Sequence, residues 1–288
     1  MTSIDATTVS HLQTWIGKQQ VLHDKISVMP LSAWSATLDR DDPTPDVSTA
    51  LPPLTHWLYF LPIHLQRDIA QDGHPHKGGF LPPVPLPRRM WAGGRLHWHQ
   101  NVCVGEDVKR ISEIKSVTHK SGKSGDLIFV TVQHNIHNNN GLCLTEEHDI
   151  VYRPPALATD PVPTLVPAPT VCTYFRDVLI DEVVLFRYSA LTFNGHRIHY
   201  DKNYVTQVEN YHGLIVHGPL IATLLTDLIV RNNSKALRSF SFKAVRPTFL
   251  CDKPLTVRVS AIQKDDNIEL WAQDEQGFIT MQATAQLV

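Results

Sequence analysis

Cysteine is scarce in this 288-residue chain: Cys103, Cys143, Cys172 and Cys251 are the only four, and none belongs to a CxxC pair. That spacing excludes a disulfide scaffold and a cysteine zinc site, and predicts free thiols in a reducing compartment. Charge of one sign is also lacking, because 26 lysines and arginines stand against 28 acidic residues for a net charge of −2. So balanced a chain offers no footprint for nucleic acid and no polybasic patch for a membrane surface, and neither partner is expected. No long apolar run is present. The best, Leu214 to Leu225, is broken by His217, Gly218 and Pro219 and is too short to span a bilayer. The opening MTSIDATTV has neither a basic cluster nor an apolar stretch, and the first arginine is Arg40. A cytoplasmic location is the expectation. There is no GxSxG elbow either, which argues against a serine hydrolase.

What is present suits a globular protein: 42% apolar and 19% charged residues are enough for one large core or two moderate ones. Proline is concentrated in RPPALATDPVPTLVPAPT, residues 153–170, where six prolines remove donors and favour an extended connector. It divides the chain into units 1–152 and 171–288.

In the first unit, RLHWHQNVCV, VKRISEIKSVTHK, DLIFVTVQHNIHN and LCLTEEHDIVY read as strands separated by the polar turns GED, KSGKSGD and NNNG. Upstream, HLQTWIGKQQ and THWLYFLPIHLQRDIA cluster like helices, the second ended or kinked at Pro62. In the second unit LFRYSALTF reads as a strand, followed by a turn through NGHRIHYD and a helix from about Pro219 to Arg231. SFSFKAV, PLTVRVSAIQ, NIELWAQDE and GFITMQATAQLV then read as strands. One helix framed by an antiparallel sheet makes an α+β fold.

The chemistry concentrates in FNGHRIHYD, Phe193 to Asp201, and in the GLIVHGPLIATLL segment that follows. His199 sits in a polar turn, and an imidazole with an ordinary pKa of about 6.5 can take and return a proton near neutrality. Asn194 could hold a water or polarise a hydroxyl but cannot exchange a proton. Asp201 either fixes the His199 tautomer or caps the helix that starts at Lys202. Gly213, Gly218 and Pro219 bracket a helix start, where free N–H groups favour negative charge developing on a carbonyl oxygen. His196 with His199, His97 with His99, and His74 with His76 have ligand-like spacing, but none is joined to a cysteine or carboxylate at zinc-site spacing, so no metal is expected.

YSALTFNGHRIHYD and YHGLIVHGPLIATLL together resemble the MaoC-like hot-dog hydratases and dehydratases of acyl thioesters, also called hydratase 2. Thr192-Phe193-Asn194-Gly195-His196-Arg197-Ile198-His199 falls on that family's S-G-D-x-N-P-I-H signature. The resemblance implies His199 as the catalytic histidine and the Gly218 N–H as donor to the thioester carbonyl, with Asn194 standing where the family has its catalytic aspartate. FNxHRIHYD and the upstream RRMWAGGR, Arg88 to Arg95, are similar to a branch holding mesaconyl-C4-CoA and itaconyl-CoA hydratases and mitochondrial-type 3-hydroxyacyl-thioester dehydratases.

The resemblance implies a double hot-dog, two antiparallel sheets each wrapped around a central helix, with a degenerate copy at 1–152 and the catalytic copy at 171–288. It further implies reversible hydration of a 2-enoyl thioester without cofactor, the thioester being carried by coenzyme A or acyl carrier protein, and leaves room for a homo-oligomer. A dicarboxylic acyl group would need an arginine, and Arg95, Arg197 and Arg246 are the candidates, with Trp91, Gly94, Gly213 and His217 as further substrate contacts. The alternatives are a 3-hydroxyacyl-carrier-protein dehydratase of fatty-acid synthesis, and a non-catalytic acyl-thioester binding protein or a hot-dog thioesterase.

Overall fold

A computed structural model describes residues 4–122, 125–155 and 164–288. The first half contains helix α1 (Ala6–Gln13), strand β1 (Gln19–Lys25), helix α2 (Val28–Thr37), and strands β2 (Arg88–Trp98), β3 (Asp107–Gly122), β4 (Gly125–Asn138) and β5 (Gly141–Arg153). The second contains strand β6 (Tyr174–Ile180), helices α3 (Glu182–Leu191) and α4 (Lys202–Gln207), strand β7 (Leu214–Ile215) and helix α5 (Gly218–Asn232). Strands β8 (Leu237–Ala244), β9 (Phe249–Leu250), β10 (Leu255–Lys264), β11 (Asn267–Gln273) and β12 (Ile279–Leu287) complete it. No helix among the described residues is long and apolar enough to cross a membrane.

Ten strands form one sheet in the order β1-β3-β4-β5-β2-β8-β12-β11-β10-β6. Read outward from β2 and β8, the two halves have the same order. They meet edge to edge through antiparallel pairing of Gly93 with Lys243, Gly94 with Phe242 and Leu96 with Phe240. Gly94 is required there, since a Cβ would lie 2.8 Å from the Phe242 ring and 3.0 Å from the Glu147 carbonyl oxygen. Pairing at this seam uses up one edge of each half, which would otherwise be open to aggregation.

Helix α5 is the core of the second half. Every residue from Leu220 to Ile229 is buried, and each leucine or isoleucine so placed contributes about 1.5–3 kcal/mol of transfer free energy. Pro219 at the first turn fits a position whose N–H would be unpaired anyway. The polar residues on this helix are satisfied locally: the Thr223 and Thr226 hydroxyls donate to the Pro219 and Thr223 carbonyls at 2.8 and 3.0 Å. Asp227, fully buried, accepts from Arg176 at 2.9 Å, Arg231 at 2.7 Å and Arg40 of the first half.

The expected strand over LFRYSALTF is corrected to helix α3. Asp181 caps it by accepting from the Val184 N–H at 2.8 Å, and Leu185, Tyr188 and Ser189 face inward at helical spacing. The helix-like segment 55–70 is instead two short 3₁₀ turns, with Leu54 and Phe60 at positive φ and Pro62 between the turns. Of the proline-rich connector, residues 156–163 lie outside the described residues; beyond them Val166 and Ala168 pair with Ile279 and Gly277 of the second half.

Candidate active site

Helix α3 ends at Leu191 with Thr192 as its C-cap, and the chain turns through Phe193, which adopts a positive φ of 49°. The Asn194 N–H bonds the Ser189 carbonyl at 2.8 Å, and the Asn194 side-chain oxygen accepts from the His196 N–H at 3.0 Å. These two bonds tighten the loop that leads into the 3₁₀ turn Arg197–His199. Asp201 accepts from the Tyr204 N–H at 2.9 Å and pairs with Arg197 at 2.7 Å, so it caps α4 and does not orient His199.

The orienting group for His199 is a backbone carbonyl. Its Nδ1 lies 2.7 Å from the Ile215 oxygen. A carbonyl can only accept, so Nδ1 carries the proton and Nε2 keeps the basic lone pair. The ring lines the cavity, and burial pulls its pKa down to about 4, against the opposing effect of the Ile215 hydrogen bond. It is therefore a neutral base across the physiological range. Behind it His217 stacks at 3.6 Å between centroids, with its Nε2 2.8 Å from the Ser189 hydroxyl. His217 is buried and does not line the cavity, so it backs His199 rather than touching substrate.

Gly218 opens helix α5 on the cavity wall. Among the described residues no carbonyl accepts its N–H, and no side chain caps the helix. A donor at the positive end of a buried helix is thus free for an oxyanion. Gly213 is elsewhere: a Cβ there would stand 2.4 Å from the Leu250 carbonyl oxygen, so it serves the contact between β7 and β9.

The cavity has a volume of about 2220 Å³ and takes its walls from both halves, with Trp57, Trp91 and His74 facing Asn194, His199 and Gly218. Trp91 packs edge-on to Trp57 with ring centroids 4.9 Å apart and lies tilted against His148 at 4.0 Å, giving that wall an aromatic surface. Segment 70–77 brings His74 to His196, ring centroids 4.0 Å apart, and His196 stands edge-on to His199 at 5.5 Å. Asp72 holds His74 through Nδ1 at 3.1 Å. Burial pushes His74 and His196 down, the Arg89 charge adds to this, and the nearby Asp72 opposes it. Asp72, His74 and His196 each offer one donor atom within 4.8 Å of the others. The sequence signal for this contribution was only the His74 and His76 spacing; nothing local joined it to His196.

Of the expected arginines, Arg95 is corrected: it forks between Glu147 at 2.7 Å and Asp149 at 2.5 Å on the exposed face, 47% accessible and off the cavity. Strand alternation explains this, because Arg95 follows the seam glycines on the solvent side. Gly94 is off the cavity as well, closed in by the seam. Arg197 and Arg246 do line the cavity, but each is spoken for, the first by Asp201 and the second by Asp274.

A two-halved sheet wrapped around a buried helix, with a neutral histidine and a free helix-start N–H on one cavity, defines a double hot-dog protein of the acyl-thioester class. The family model described as hydroxyacyl-thioester dehydratase type 2 matches residues 54–250, and the chain belongs to that family. It is 44% identical over 274 residues to the mesaconyl-C(4)-CoA hydratase of Chloroflexus aurantiacus, covering 95% of this chain and 96% of the relative. In fold it is similar to a solved MaoC-like dehydratase, TM-score 0.70 at 11% identity over 96% of this chain and 99% of the other. It is also similar to a Mycobacterium tuberculosis protein described as having a double hotdog fold, TM-score 0.56 at 14% identity over 95% and 97%.

Proposed function

We propose that this protein is a hydro-lyase that adds water reversibly across the double bond of a 2-enoyl thioester, with mesaconyl-C4-CoA as the substrate and citramalyl-CoA as the product. The observation that carries the reaction is the fixed tautomer of His199 beside the unpaired Gly218 N–H. His199 Nε2 takes a proton from water while the water oxygen bonds the β-carbon. The electron pair of the double bond moves to the thioester oxygen, where the Gly218 N–H and the start of α5 stabilise the enolate. The imidazolium then returns its proton to the α-carbon, so one water is consumed and no cofactor is drawn on. Asn194 positions the water. The substrate assignment is supported by 44% identity to the Chloroflexus hydratase over nearly the whole chain.

Residues 171–288 supply the acid–base groups in this reading, and 1–152 supply the facing wall. A second reading, dehydration of longer 3-hydroxyacyl thioesters on coenzyme A or a carrier protein, is favoured by the family description and by the size of the cavity. The test follows the loss of enoyl-thioester absorbance with mesaconyl-C4-CoA, crotonyl-CoA and a long-chain 2-enoyl-CoA, for wild type and His199→Ala. Turnover of the dicarboxylyl thioester that the variant abolishes supports the assignment. Preference for the long chain moves it to the second reading, and no turnover at all refutes both.

A further inference from the structure

His199 is gripped on two sides by residues that stand two positions apart in the chain. The Ile215 carbonyl accepts from its Nδ1 at 2.7 Å, and the His217 ring lies across its face, with centroids 3.6 Å apart and planes 18° from parallel. A hydrogen bond at one edge leaves an imidazole free to swing about that bond, since the acceptor tolerates a broad range of approach. A second ring laid against the face removes that freedom. The next residue is Gly218, whose N–H is the donor to the thioester oxygen in the proposed reaction. Residues 215–218 therefore fix the edge and the face of the base and also carry the oxyanion donor.

This short segment is itself anchored from several directions. Leu214 and Ile215 pair with Leu250 and Phe249, and the Val216 N–H bonds the Thr248 carbonyl at 2.9 Å. The His217 carbonyl accepts from the Ile221 N–H of α5 at 3.1 Å. The His217 ring, 1% exposed, has its Nε2 2.8 Å from the Ser189 hydroxyl on α3, and the Tyr188 ring stands edge-on to it at 5.2 Å.

Packing alone does not call for an imidazole at this position. The buried Nδ1 of His217 has no hydrogen-bond partner among the described residues. Such a group costs about 1–3 kcal/mol, a cost that a phenylalanine in the same core would not carry. What the imidazole adds is the Ser189 bond, which sets the plane of the ring. Burial first, and then any charge on His199 or His196, keeps the ring unprotonated. The imidazolium that His199 becomes during the reaction thus faces a neutral π-surface and not a second cation.

We propose that His217 is a positioning residue: its ring fixes the plane of His199 while its backbone sets Gly218, so that base and oxyanion donor are held in register on one enoyl thioester. The proposal rests on the hydratase reading for what those two groups do, and extends it to the residue that aligns them.

The test uses the full chain with His217→Ala, His217→Asn and His217→Phe. Asparagine keeps a polar partner for Ser189 but no ring, and phenylalanine keeps a ring but no partner. Turnover of mesaconyl-C4-CoA gives one readout. The other, taken without substrate, is the ¹⁵N spectrum of the His199 imidazole as a function of pH, assigned by its disappearance in His199→Gln. Misplacing a reacting group costs up to about 100-fold in rate, so kcat should fall roughly 10- to 100-fold in the alanine and asparagine variants. KM should stay within about threefold, because the His217 ring touches no substrate, and His217→Phe should recover most of the loss. Wild-type His199 should show a single tautomer with the proton on Nδ1 and titrate at about 4. Without the ring both tautomers should appear and the titration should move toward 6.5, as the imidazole turns to water in the cavity. His74, whose charge His199 feels, and His196, edge-on at 5.5 Å, are the other titratable groups around it and are present in every variant.

An unchanged kcat in His217→Ala, a loss that appears in KM, or recovery by asparagine and not by phenylalanine overturns the proposal. A mixture of tautomers in wild type overturns it even if no variant folds. If wild type hydrates no enoyl thioester the reaction reading falls, while the tautomer comparison still decides whether His217 fixes His199.

Discussion

Gly73 and Gly195 lie against one another so closely that a Cβ on Gly73 would stand 1.8 Å from the Gly195 carbonyl oxygen. The adjacent Arg197 N–H bonds the Asp72 carbonyl at 2.9 Å. The loop carrying His74 and the loop carrying His199 are therefore locked backbone to backbone, although the two come from different halves of the chain.

Gly73→Ala should be costly for two reasons. Gly73 has φ of +90°, a region that costs a side-chain-bearing residue about 1–3 kcal/mol, and the added methyl must also separate the loops. Gly17, at φ +84° with nothing within 4 Å, pays only the first cost. Thermal unfolding of both alanine variants checks this. Gly73→Ala should fall further in Tm and lose activity, whereas Gly17→Ala should keep full activity; equal behaviour would mean that the loops are not coupled.

The pH profile of kcat/KM should have its acid limb near pH 4, since His199 is active as the neutral base and its pKa is drawn down to about 4. Activity is lost as the pH falls through that value, not through 6.5. Asn194→Asp retains the acceptor for the His196 N–H and adds a negative charge near the imidazole, which raises the pKa of His199. The limb should then move to higher pH while the activity at pH 8 persists. An unshifted limb would remove Asn194 from the electrostatics of His199.

Stability should also depend on pH. His74, His134, His196, His199 and His217 are all held below the ordinary histidine value chiefly by burial. In the unfolded chain these rings titrate near 6.5, so above that pH neither state binds the extra protons and Tm should be flat. Below it the unfolded state takes up protons that the fold refuses, and each such group costs up to about 1.4 kcal/mol per pH unit. Calorimetry from pH 8 to pH 4.5 should show a steep decline beginning near 6.5. A constant Tm down to pH 5 would contradict the neutral state of these rings.

Two arginine–carboxylate clusters should differ sharply in what they contribute to stability. Asp227→Asn leaves Arg40, Arg176 and Arg231 around an uncharged group in the core and is expected to cost about 3–5 kcal/mol. The exposed fork at Arg95 is worth about 0–1 kcal/mol. Urea midpoints should separate the two variants clearly, and Arg95→Gln should leave KM for the thioester unchanged.

Patterns with short range were readable from the chain alone. The strands at 108–120 and 126–138 alternate and are closed by glycine and asparagine turns, and they appear as β3 and β4 close to where their pattern placed them. The helix after Gly218 was equally plain from its apolar run. Helix α3 was misread because YSALTF is rich in residues that suit a strand, while the deciding signal, the Asp181 cap and the inward Leu185, Tyr188 and Ser189, is only three residues deep. That Arg95 turns away from the cavity could be read only by knowing which face of β2 turns inward past the irregularity between Trp91 and Gly93. The approach of His74 to His196 spans more than a hundred residues, and no periodicity encodes it.

The seam between β2 and β8 separates two kinds of inheritance in one molecule. In the proposed reaction the groups that move a proton are tied to the strand set on one side, and the aromatic wall around Trp91 hangs from the other. Replacing the aromatic wall around Trp91 would therefore retune what is accepted without disturbing how it is transformed, much as a tool keeps its motor when the head is exchanged.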